Sequence, residues 1–187
     1  IPHMTVIQPA DDLETHQVIQ YLARTNAPCY LRICRQPVPR IHDDEYQFQF
    51  GKGAIVREGR DLSIFATGGT VHTAIAAARR LLDEGISTRV VNLSTLKPID
   101  TQLIYRCADE TSAILSVEDH SVIGGMGSAI ADVLAQRPGN RALSYRIHGV
   151  PDVFGESGEP ADLYRKYLLD EEGISRVARE LVTRDCQ

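Results

Sequence analysis

Apolar positions along this chain of 187 residues follow two rhythms. Short, nearly continuous apolar runs at 62–66, 88–93 and 113–117 read as buried strands. Between and after them the spacing turns helical: Val71, Ile75, Ala78 and Leu82; Leu103, Ile104 and Cys107; Met126, Ile130, Val133 and Leu134. Gly85 closes the first of these helices, Asp100 caps the second, and Arg137-Pro138-Gly139 stops the third. A last strand is predicted at 143–147, then two short helices at 161–169 and 174–182. Strands that alternate with helices of about ten residues imply a mostly parallel sheet covered on both faces.

The first sixty residues differ. A strand at 4–7 stops at Pro9-Ala10-Asp11-Asp12, which supplies N-cap oxygens for a helix running to Arg24. A second strand follows at 29–34. This βαβ unit is too small to stand alone and reads as the tail of a larger sheet. Pro37, Pro39 and the extended Gln-Phe-Gln-Phe stretch then read as a linker, with a short strand at 46–50. The expected division is therefore 1–36, a linker at 37–52, and an independent α/β domain of about five strands at 53–187. The chain opens on Ile1, directly before a strand, which suggests a fragment, a trimmed chain or a gene split.

An apolar content of 43% suits an ordinary core, and the formal net charge is -5. The arginines are scattered rather than gathered in a stripe, which argues against a nucleic-acid partner. No run approaches the roughly 20 apolar residues of a membrane span. Cys29, Cys34, Cys107 and Cys186 form no CxxC pair and sit at no zinc spacing. Cys29 and Cys34 in a strand and Cys107 in a helix are expected to be buried thiols in a reducing cytoplasm.

Familiar catalytic motifs are missing: no GxxxxGK[ST], HExxH or complete GxGxxG occurs. Two glycine turns open helices, at Thr67-Gly68-Gly69-Thr70 and Gly124-Gly125-Met126-Gly127. Each could bind an anion through free N–H groups or could serve close packing. His120 follows Glu118 and Asp119 in an acidic turn at a strand end, where open α/β sheets place their sites. His72, in the first turn of a helix, is expected to be neutral. Arg32 and Arg35 stand at the end of the second strand. There a guanidinium pairs with a phosphate or carboxylate ligand, or with a carboxylate across the domain junction.

Taken together these segments resemble the transketolase family of thiamine diphosphate enzymes over nearly the whole chain. Pro2 to Asp12 and Tyr30 to Gln36 (YLRICRQ) resemble the last βαβ unit of the pyrimidine-binding domain. Gly51 to Gly53, Thr67-Gly68, Val90 to Asp100 (VVNLSTLKPID), Ser116 to Ser128 and Phe154 to Gly158 resemble the C-terminal domain, most closely that of split, two-subunit transketolases. The resemblance implies a three-layer, mostly parallel α/β fold preceded by the end of a pyrimidine-binding domain. It implies transfer of a two-carbon ketol unit from a ketose to an aldose, on a sugar or sugar phosphate. Arg35 matches the arginine of the family's Ser-Arg-Gln segment, which contacts the substrate phosphate. Gln36 matches its glutamine, Cys34 replaces the serine, and His120 matches a histidine of the split subunits. The activating glutamate and the Gly-Asp-Gly…Asn motif for Mg²⁺ and diphosphate are not matched in this chain. Thiamine diphosphate and Mg²⁺ are thus expected on an N-terminal partner subunit or domain, within a homo- or hetero-oligomer, and the chain alone is expected to be inactive. The alternatives are a non-catalytic assembly module, a small-anion binder, or the matching part of a deoxyxylulose phosphate synthase or a 2-oxoacid dehydrogenase β subunit.

Overall fold

A computed structural model describes residues 1–139 and 141–184, with only the main chain of Arg184. Cys186 lies outside the described residues. The larger sheet has five strands, β3 (Ala54–Arg57), β4 (Leu62–Ala66), β5 (Thr88–Asn92), β7 (Ala113–Ser121) and β8 (Ser144–Val150), in the order β3-β5-β4-β7-β8. All its pairings are parallel except the β3–β5 edge. Strand β4 is buried at every position because both faces of the sheet are covered. Along it Leu62, Ile64 and Ala66 point one way, into a core with α2 (Thr70–Asp83) and α6 (Glu171–Arg184). Phe65 points the other way, into a core with α3 (Thr101–Glu110) and α4 (Met126–Ala135). This is the expected three-layer arrangement.

The smaller sheet holds β1 (Thr5–Ile7), β2 (Cys29–Leu31) and β6 (Thr95–Lys97), in the order β2-β1-β6. Strands β1 and β2 are parallel and are bridged by α1 (Asp12–Leu22). Strand β6 lies three residues beyond β5 and crosses over to pair antiparallel with β1. A short α5 (Pro160–Lys166) precedes α6. Among the described residues no helix is long and apolar enough to cross a membrane.

Several local expectations are corrected. Residues 46–50 form no strand. The Gln17 side chain takes the Tyr46 carbonyl (2.8 Å) and the Phe48 N–H (2.6 Å), and Phe50 stacks on Tyr21, so the stretch lies along α1. Cys29 is exposed because β2 is an edge strand with an uncovered face, and Cys34 is only half-buried because the strand ends at Leu31, short of it; Cys107 is buried as expected. Helix α2 buries Val71, Ala74, Ala77, Ala78 and Leu81, while Leu82 is 52% exposed. The small Ala74 and Ala77 turn the buried face toward Leu81, so Leu82 falls outside it. The acidic stretch Glu118 to His120 is not a turn but the far end of β7, which continues to Ser121 with a register shift against β8.

The turn between β3 and β4 passes against the start of β5. A Cβ on Gly59 would stand 2.2 Å from the Arg89 backbone nitrogen and the Thr88 carbonyl carbon. Neither atom can step aside without moving β5. Gly59→Ala is expected to cost about 1–3 kcal/mol, the range for overpacking that shifts a backbone. Urea denaturation measures it, and an unchanged midpoint would show that this turn swings freely away from the sheet.

Candidate functional site

The ends of β1, β2, β4 and β7 meet where the two sheets join. Gln8 follows β1, Arg32 follows β2, Thr67 to Gly69 follow β4, and Asp119 sits near the end of β7. Asp119 is the hub. Its Oδ1 accepts from Arg32 Nη1 (2.6 Å) and Gln8 Nε2 (3.1 Å), its carbonyl accepts from Arg32 Nη2 (2.9 Å), and its Oδ2 accepts from the Tyr164 hydroxyl (3.2 Å). The Arg32 and Asp119 side chains are only 32% and 18% exposed. Tyr164 is held neutral, because burial and the adjacent Asp119 charge both raise its pKa.

Glu118 points the opposite way along the strand and closes the N-terminus of α4. Its carboxylate accepts from Met126 N (2.7 Å) and Gly127 N (2.8 Å), placing negative charge at the positive helix end. A Cβ at 125 would lie 2.2 Å from Glu118 Oε2, so any other residue there would push the carboxylate off the helix end. Two N–H groups that an anion at this helix start would use, those of Met126 and Gly127, are thus taken by the protein's own carboxylate. At the other glycine turn the single proton of the Thr70 hydroxyl is shared between Thr67 O (2.8 Å) and Val117 O (3.0 Å). It thus ties α2 to β7. Burial lowers the pKa of His72, which keeps it neutral as expected for the first turn of α2.

The structure separates the three residues singled out from sequence. His120 is exposed, with Nδ1 3.0 Å from the Ser121 carbonyl. It borders a cavity of about 250 Å³ together with Gln8, Tyr30, Arg32 and Lys97. Gln36 borders a different hollow, of about 440 Å³, with Cys34, Pro37, His72 and Tyr164. Arg35 is exposed and makes no hydrogen bond or ion pair among the described residues. Arg32 and Tyr164, each bordering one of the two hollows, are joined through Asp119. Of the two arginines at this strand end, Arg32 thus serves the junction and Arg35 is left open to solvent.

A second polar cluster was not foreseen. Asp11 caps α1 by accepting from Glu14 N (2.9 Å), and its Oδ2 accepts from Ile41 N (3.0 Å), His42 N (2.9 Å) and the His42 ring (2.9 Å). Burial works against the Asp11 charge, but the His42 ring and three backbone N–H groups outweigh it and hold its carboxyl far below the usual range. Buried Glu14 accepts from Ala10 N (2.8 Å), the Tyr46 hydroxyl (2.6 Å) and Asn92 Nδ2 (3.0 Å). The cluster pins the segment after Pro39 onto α1 and β5. The cap at Asp11 was legible from sequence; its partners, some thirty residues on, left no local signal.

An open α/β sheet whose polar side chains gather at strand C-termini, joined to a small second sheet, defines a ligand-handling α/β protein of the kind that works at a domain junction. The transketolase C-terminal domain family matches residues 51–174. A Methanocaldococcus jannaschii protein carrying the provisional name of a transketolase C-terminal section is 42% identical over 94% of this chain and 55% of its own length. One of the subunits of the apulose-4-phosphate transketolase of Phocaeicola vulgatus is 35% identical over 97% of this chain and 57% of its own. The solved structure of a split-gene transketolase, described as an inactive β4 tetramer, superposes with a TM-score of 0.90 at 38% identity, over 98% of this chain and 59% of that one. The chain belongs to the transketolase family. It spans about half the length of the curated relatives it matches.

Thiamine diphosphate with Mg²⁺ is the cofactor such a family implies. Among the described residues no three His, Cys, Asp or Glu side chains converge to hold a metal ion. The N–H groups at the start of α4 that could meet a diphosphate are occupied by Glu118. The described residues of this chain do not fit the Mg²⁺-diphosphate group.

Proposed function

We propose that this chain is the C-terminal component of a thiamine diphosphate-dependent transketolase that moves a two-carbon ketol unit from a ketose to an aldose. Residues 1–36 end a pyrimidine-binding domain, 37–52 link, and 53–187 form the C-terminal domain. A separate N-terminal subunit or domain supplies the Mg²⁺-diphosphate site, in a cytoplasmic oligomer. The observation that carries this reading is the superposition of the chain, almost end to end, on the solved split-gene transketolase. The β-only assembly of that protein is described as inactive, which supports a division of labour between subunits. In this reading the chain's own task is to hold substrate: Arg35 and Gln36 meet its terminal phosphate and His120 meets a substrate oxygen. The planar guanidinium of Arg35 carries donors for two phosphate oxygens at once, and among the described residues no hydrogen bond or ion pair takes them up.

Reconstitution tests the proposal. The chain is co-expressed with a companion that carries a Gly-Asp-Gly…Asn motif and assayed against a panel of ketoses and aldoses. Ketol transfer is expected only when both polypeptides, thiamine diphosphate and Mg²⁺ are present. Turnover by this chain alone, or micromolar cofactor binding to it in calorimetry, would overturn the division of labour. No ketol transfer with any such companion would leave the assembly-module reading in its place.

A further inference from the structure

We infer that Asp119 is a positioning residue that sets the 33–39 segment, and with it Arg35, at the mouth of the substrate site. The inference rests on the reading of Arg35 as a phosphate contact and adds what aims it. Between Arg32 and Arg40 the chain makes no hydrogen bond or ion pair among the described residues. The segment is thus slung between two anchors. Downstream, Asp11 holds Ile41 and His42. Upstream, past the end of β2, the anchors are the Arg32 N–H on the Ile7 carbonyl (2.9 Å) and the Arg32 guanidinium on Asp119. Two guanidinium nitrogens on two Asp119 oxygens fix the plane of that side chain, and Arg35 lies three residues further on. The same carboxylate binds Gln8, beside β1, and Tyr164, which borders the hollow where Gln36 lies. One acidic group from the larger sheet thus couples the smaller sheet, α5 and the segment bearing the candidate substrate contacts.

Asp119→Asn keeps the shape and removes the charge. Two measurements test the tether. Trypsin cleavage of the full chain after Arg35 is expected to quicken about tenfold, while amide exchange at 62–66 stays unchanged, since one charge-assisted anchor is lost. In the assembled enzyme the KM for a phosphorylated ketose is expected to rise about tenfold, with kcat within about twofold, as when ground-state binding is lost. The KM for an unphosphorylated ketose is expected to stay the same. Arg32→Lys, which keeps the charge but lacks the fork, is expected to shift both measurements the same way, and it decides the matter if the Asp119 variant does not fold. Unchanged cleavage after Arg35 in a folded variant overturns the inference. So does an unchanged KM in an enzyme whose Arg35→Ala variant shows the defect. If Arg35→Ala itself leaves KM unchanged, the phosphate reading fails, and the cleavage data alone then decide whether Asp119 holds the segment.

Discussion

Replacing Asp11 by alanine is expected to destabilise the chain by about 3–5 kcal/mol, the sum of a lost helix cap and the buried N–H groups left without an acceptor. Asp11 is 2% exposed, and its two oxygens serve Glu14 N, Ile41 N, His42 N and the His42 ring. Water cannot replace a carboxylate there without opening the contact between α1 and the segment that follows the prolines. The pH dependence is a separate signature. The folded carboxyl is held below its ordinary pKa of 3.8. Its stabilisation is therefore complete above about pH 4, where the unfolded chain is also ionised, and fades as the pH falls below that. Urea midpoints of the native chain should drop between about pH 4 and 2.5 more steeply than those of Asp11→Ala. Parallel curves for the two proteins would show that the Asp11 charge contributes nothing. A loss under about 1 kcal/mol would show that the backbone N–H groups find other acceptors.

Arg35→Ala should act on binding rather than on stability. The side chain is exposed and pairs with no group among the described residues, so the unfolding midpoint should stay where it is. In the assembled enzyme a charge-assisted contact of about 1.5–3 kcal/mol disappears, a tenfold to hundredfold loss. A terminal phosphate is remote from the reacting carbonyl. The loss should therefore enter KM for phosphorylated substrates, with a smaller change in kcat and almost none for unphosphorylated ones. Equal losses for both substrate types would make Arg35 a structural residue. No loss for either would mean that the natural substrate carries no phosphate at that end.

What was legible in the sequence followed from period and punctuation. Strand β4, the Asp100 cap of α3 and the glycine close of α2 stand where the pattern put them, because each depends on neighbours a few residues away. The Ser116 to Ser128 segment was informative for a local reason as well: Glu118 closes the very helix that follows it. The pairing of Asp119 with Arg32 spans 87 residues, and that of Asn92 with Glu14 spans 78. No period reports contacts of that range. The first is foreshadowed only in outline, as one of two possible fates for an arginine at a strand end, and the second not at all. Strand β3 escaped notice because its antiparallel edge pairing with β5 needs no apolar run on both faces. The Tyr46 to Phe50 error has the opposite cause: an alternating pattern was present, but the Gln17 amide captured the backbone groups that a ladder would have used.

Strand β6 bears on how such a protein can be recombined. It belongs by chain order to the second half, yet it hydrogen-bonds to β1 in the first, with Val6 opposite Lys97 and Ile7 opposite Thr95. A chimera cut in the proline-rich stretch would inherit β1 from one parent and its neighbouring strand from the other. Its two halves would have to agree in backbone register at 5–7 and 95–97 and in charge at Arg32 and Asp119. The seam that composition suggests at 37–52 is thus laced across by a strand, and an exchange of segments between relatives would have to carry β1 and β6 from the same parent.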